Sequence, residues 1–174
     1  KKRELKREHI DAVKLAEEVA AAVTGKLTET GIVFMKEFDP KSGAFTLHDI
    51  GGGFYPHTIR IDAQDRVWFT LALSNQIAMF DRATQRFTLH DLPTRGIREW
   101  LTVRLIRPLF KLMSWGVPLA NWLPVDRLAT GTPLPYGIDI TPDGKVWFAR
   151  LHADDIGSID PATGAITMVA TPFA

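Results

Sequence analysis

A stretch of this chain repeats itself, and an internal repeat constrains a fold more than any single motif. Shifting the sequence by 42 residues sets 38–50 on 80–92 with seven identities in thirteen positions, Phe45-Thr46-Leu47-His48-Asp49 falling on Phe87-Thr88-Leu89-His90-Asp91. A shift of 79 sets 56–93 on 135–172 without a gap and with twelve identities in 38 positions, Val67-Trp68-Phe69 falling on Val146-Trp147-Phe148. The two shifts differ by 37 residues, the size of an unrelated insert at about 95–132.

Each copy reads as short strands separated by turn chemistry. In the last copy the strands are expected at Gly137–Thr141, Val146–Arg150, Asp155–Asp160 and Ala165–Ala170. Pro142-Asp143-Gly144 and Pro161-Ala162-Thr163-Gly164 place proline early and glycine late, as tight turns require. Four antiparallel strands in a repeat of about 40 residues is the pattern of a propeller blade, whereas the strands of a β-sandwich do not repeat at a fixed period. The expected fold class is therefore all-β, a partial β-propeller of four-stranded antiparallel blades with an N-terminal helix and a helical insert between blades. Its divisions are an amphipathic helix over 1–27, a half blade plus a whole blade over 28–94, the insert over 95–132, and a further blade over 133–174. Closed propellers use about 4 to 8 blades, so these copies predict a piece of a longer chain or closure with other copies.

Charge narrows the partners. The 21 Lys and Arg stand against 20 Asp and Glu, so a net +1 provides no whole-chain field for nucleic acid, and the basic residues of the insert are not interleaved with an RNA-binding motif. With no cysteine, thiolate metal sites and a cysteine nucleophile are excluded. Glu17 and Glu18 interrupt the apolar positions of the first helix, so it does not read as a signal peptide, and the start at Lys1 predicts upstream sequence.

The series Pro135-Tyr136-Gly137-Ile138, Pro142-Asp143-Gly144-Lys145-Val146-Trp147-Phe148 and Ile156-Gly157-Ser158-Ile159-Asp160 resembles the streptogramin B (virginiamycin B) lyase family, and Pro56-His57-Thr58-Ile59 through Trp68-Phe69-Thr70 is similar. The resemblance covers about 31–93 and 133–172. It implies a bacterial protein, exported or periplasmic, that opens a cyclic peptide antibiotic at its ester linkage by a magnesium-dependent elimination. Such chemistry uses a base near an acidic Cα proton and a metal to stabilise the developing enolate. Carried over by position, His57 matches the base. Tyr55 and Leu71 stand where the family has acidic residues, and Ser74 stands where it has a second histidine. The third copy offers Tyr136 for the histidine and Arg150 for an acid. The resemblance thus names Mg²⁺ as cofactor, while no ligand set for it is visible.

The candidate site is catalytic His57, with Tyr55, Ser74, Asn75, Tyr136, Arg150 and His152 as ligand-binding residues at the propeller mouth, where a small molecule or peptide is the expected partner. No metal ligands are assigned. His152, Asp154 and Asp155 form a polar cluster whose simplest reading is a solvated turn, and Asp143-Gly144 reads as a turn as well. The alternative function is a non-catalytic binding or scaffold module; a sugar-lactone hydrolase of related type needs a carboxylate and asparagine cage that these blades do not show.

The insert places Ile97, Trp100, Leu101, Leu105, Leu109, Leu112 and Met113 on a helical stripe, with Arg98, Arg104, Arg107 and Lys111 against Glu99. A helix packed over the propeller's flank or mouth is the plainest expectation. Membrane-surface or protein contact through 97–123 is the other, and gating of the mouth is a third reading. Pro108 is expected to kink the helix.

Overall fold

The computed structural model describes residues 34–38, 44–124 and 131–172. By internal contacts the chain divides into Lys1–Ile32 and Val33–Ala174. The helix expected over 1–27 lies outside the described residues, as do the start of the first copy and 125–130.

Three antiparallel sheets follow one another. The first pairs β1 (Phe34–Phe38) with β2 (Phe45–Asp49). The second is a meander of β3 (Pro56–Ile61), β4 (Arg66–Leu71), β5 (Gln76–Asp81) and β6 (Arg86–Asp91). The third repeats it with β7 (Leu134–Ile140), β8 (Val146–Leu151), β9 (Asp155–Ile159) and β10 (Ile166–Ala170). The two four-stranded antiparallel sheets match the expected fold class. β7 begins at Leu134, earlier than the repeat suggests, because Leu134 and Pro135 still pair with Leu151 and Arg150.

Side chains alternate across a strand, so β4 feeds two cores at once. Val67, Phe69 and Leu71 pack with Ile50, Ala78 and Phe80 on the half-blade side. On the opposite side Trp68 and Ile77 pack with Ile138, Val146, Phe148 and Ile159 of the third sheet. A strand covered on both faces reads as an unbroken apolar run, which is how Val67-Trp68-Phe69 appears. β8 is covered on one face only: Val146 and Phe148 are buried, while Ala149 and Leu151 are exposed and Trp147 is half-buried. The near end of the second sheet is also open, with Ile59 and Ile61 of β3 exposed.

The two tryptophans differ in support as well as in cover. Trp68 Nε1 donates to Asp62 Oδ2 at 2.8 Å, and the same carboxylate accepts from Arg66 Nε at 2.6 Å and from the backbone N–H groups of Gln64 and Arg66 at 2.9 Å. In the third sheet Thr141 takes the place of Asp62, and its hydroxyl is spent within its own turn on Asp143 and on Lys145 O. Burial alone raises the Asp62 pKa, but the bonds from Trp68 and Arg66 outweigh it and hold the carboxyl below the usual aspartate range. A carboxyl whose folded pKa lies below its unfolded value of about 3.9 stabilises the fold fully above that value. That stability is lost as pH falls through the folded pKa. Urea midpoints followed from about pH 7 to about pH 3 should therefore fall more steeply for the native chain than for Asp62→Asn; parallel curves would show that Asp62 carries none of the acid sensitivity.

The insert forms α1 (Ile97–Ser114) and α2 (Leu119–Trp122). Glu99 in the first turn and Lys111 in the last match the helix dipole. Gly116, at φ 85°, ends α1 by bonding back to Met113 O at 2.9 Å. Pro108 lies inside α1 without dividing it into two helices. No residue of α1 is fully buried, so much of the expected apolar stripe does not pack on the propeller.

Candidate functional site

The starts of β3 and β7 and the β4–β5 and β8–β9 turns lie at one end of the sheets, the end where the mouth is expected. Both inner strands carry a register irregularity there, between Pro56 and Ile59 in β3 and between Pro135 and Gly137 in β7. A bulge re-aims the side chains it holds, and here these are His57 and Tyr136. Their rings meet with centroids 3.5 Å apart, and the Tyr55 ring stacks with that of His57 at 6.3 Å. Tyr55 takes the left-handed conformation, φ 63°.

Thr70, fully buried at the end of β4, couples the two bulges. Its hydroxyl accepts from Thr58 N–H at 3.0 Å and donates to Tyr136 O at 3.3 Å, satisfying backbone groups that the bulges take out of the ladder. Thr70 was not singled out as a site residue in the sequence. Its partners are 12 and 66 residues away, a relation no local motif displays.

The other candidates fall into three places. Ser74 and Asn75 build the β4–β5 turn: Ser74 Oγ accepts from Phe54 N–H at 3.0 Å and donates to Leu71 O at 3.2 Å, while Asn75 Nδ2 donates to Leu92 O at 3.0 Å. Arg150 is buried with Asp155 in a two-pronged ion pair, one arm Nε to Oδ1 at 2.7 Å, and its Nη1 donates to Pro93 O at 2.6 Å. His152 is exposed in the β8–β9 turn at φ 63°, and Asp154 beside it is also left-handed. Asp155, the third member of that polar cluster, serves Arg150 and reaches Arg95 at 3.4 Å.

The donor set around His57 does not fit magnesium, which is held through carboxylate oxygens. Leu71 is completely buried, the Ser74 hydroxyl is used twice, and the nearest ring partners of His57 are tyrosines. Among the described residues no group of three or more His, Asp or Glu could hold a metal. His57 Nδ1 lies 2.9 Å from Thr58 Oγ1, so its ring has a hydroxyl neighbour in place of a carboxylate.

Ser74 and Asn75, though not Tyr55, His57 or Tyr136, line an open cleft of about 870 Å³ between α1 and the second sheet. Phe54, Asn75 and Leu92 line it from the sheet, and Trp100, Val103 and Arg104 from the helix. Phe110 meets Phe54 edge-on at 5.5 Å and ties the helix to the rim. At its start α1 is held by Arg95, whose N–H donates to Glu99 Oε2 at 2.5 Å and whose guanidinium reaches Asp155.

Blades of four antiparallel strands, packed face to face by their inner strands with ligand-sized space at one end, define the class: this is an all-β row of β-propeller blades. Solved structures agree. The chain is similar to a catalytically inactive virginiamycin B lyase from Staphylococcus aureus with quinupristin, to a streptogramin B lyase, and to the selenomethionine-substituted virginiamycin B lyase from Staphylococcus aureus. Each aligns with a TM-score of 0.55 and 18% identity over 80% of this chain and 34% of the other, so the chain spans about a third of their length. No family model and no curated protein matches the sequence.

Proposed function

We propose that these blades form a binding module that takes a small molecule or peptide at the mouth, in the cleft between α1 and the second sheet. The observation that carries this reading is the cleft itself. It joins apolar walls of Trp100, Val103 and Leu92 to the Arg104 guanidinium, the mixed lining that ligand sites use. The rival reading is a carbon–oxygen lyase of the virginiamycin B type, favoured by the structural likeness and by the placement of His57 on a bulge at the same end. Against it stands the absence of carboxylates where the elimination would need metal ligands.

Quinupristin, present with one of the similar structures, is the probe that separates the two. Titrated against the chain by calorimetry, it should bind saturably, and Trp100→Ala should weaken binding about tenfold, the effect of losing one aromatic wall. Mass spectrometry after incubation with Mg²⁺ should find the ring intact. Linear product that disappears in His57→Ala would instead place lyase chemistry at this blade, and no saturable binding would remove the peptide-binding reading.

A further inference from the structure

We propose that α1 seats the protein on an anionic lipid surface. The argument begins with which way the helix faces. At 100° per residue, the half-buried Thr102, Val103, Ile106 and Leu109 fall on the side turned toward the propeller rim, as does Phe110 with its contact to Phe54. Ile97, Leu101, Leu105 and Leu112 fall within an arc of roughly 80° on the opposite side. Their exposures are 81%, 48%, 45% and 37%. An amphipathic helix normally buries its apolar stripe against its own protein; this one turns such a stripe outward.

What flanks the stripe selects the occupant. Arg104 and Lys111 border it on one edge and Arg98 on the other, and Glu99, the acid of the first turn, is engaged with Arg95. Arg104 lies over the Trp100 ring at 5.1 Å and Lys111 over Trp115 at 5.4 Å. Trp115, and Trp122 just beyond it on α2, are each 69% exposed. An apolar band edged by cations, with tryptophans at one end, is complementary to an interface of acyl chains under anionic headgroups. No helix among the described residues is long and apolar enough to cross a membrane, so α1 would lie along the surface.

The test is co-sedimentation of the intact chain with phosphatidylcholine vesicles, with and without phosphatidylglycerol. Binding is expected to the anionic vesicles and to weaken with salt, with tryptophan emission shifting to the blue. Arg98→Glu with Lys111→Glu should reduce it by about fivefold or more for each site, and Leu101→Glu with Leu105→Glu by about tenfold or more. None of these four residues lines the cleft, so peptide binding should survive in both variants, and failure of the two proposals is separable. Three outcomes would overturn this one. Equal sedimentation with and without anionic lipid would deny the charge complementarity. A dimer that Leu101→Glu with Leu105→Glu turns to monomer, without vesicle binding, would assign the stripe to a second copy. A lower melting temperature in that variant would show the stripe covered by another part of the chain.

Discussion

Replacing Trp68 by alanine is expected to cost about 3–5 kcal/mol of folding free energy, the range for removing a buried tryptophan. The same change at Trp147 should cost about 1 kcal/mol. The two residues occupy the same place in their repeats, yet Trp68 is 1% exposed between two sheets, and Trp147 lies half-buried on a face that no described element covers. Trp68 also leaves a polar consequence behind. Asp62 is buried and loses the indole N–H that partners Oδ2, and an under-bonded buried acceptor adds to the cavity. Urea unfolding of both variants measures the difference directly. Equal losses would mean that the outer face of the third sheet is as well packed as the inner one.

The second large effect belongs to the ion pair of Arg150 and Asp155. Both side chains are at least 96% buried, with exposures of 1% and 4%, so removing one partner strands a charge away from water. Arg150→Met alone, or Asp155→Asn alone, should destabilise by about 3–5 kcal/mol, while Arg150→Met combined with Asp155→Leu should recover much of the loss. The Arg150 single variant carries the further cost of leaving Pro93 O without its donor. Thermal melts of the singles and the double close a mutant cycle. If Arg150 served a ligand at the mouth, its replacement would alter binding and leave the melting temperature unchanged.

That pair shows where reading the chain alone falls short. The blades themselves were legible, because repeat identity and the Pro-Asp-Gly and Pro-Ala-Thr-Gly turns report on backbone geometry, which is local. The repeat position after Trp147-Phe148-Ala149 marks Arg150 as a ligand-binding candidate and says nothing of its partners. Its partner is Asp155, directly across the β8–β9 hairpin in register with it, a pairing that the expected strand bounds already contain. Thr70 was hidden for a different reason. A single buried hydroxyl satisfies backbone groups on two sheets, and such a role depends on how the sheets stack.

The insert divides the same way. Periodicity reveals a helix and its stripe, and α1 spans those positions. Which side turns inward depends on contacts at single points, Phe110 against Phe54 and Arg95 against Asp155. The half-buried side is built partly of Glu99 and Thr102, which a hydropathy reading assigns to solvent.

The uncovered face of the third sheet also bears on how this row of blades comes apart. In a linear array, stability is the sum of each repeat's own contribution and the interfaces it shares with its neighbours. The second sheet has packed partners on both sides, whereas the third has one described neighbour and leaves Leu151, Ile156 and Val169 in water. Among the described sheets the one that holds Trp68 thus shares two interfaces, and its strands are expected to be the slowest to exchange their amide protons.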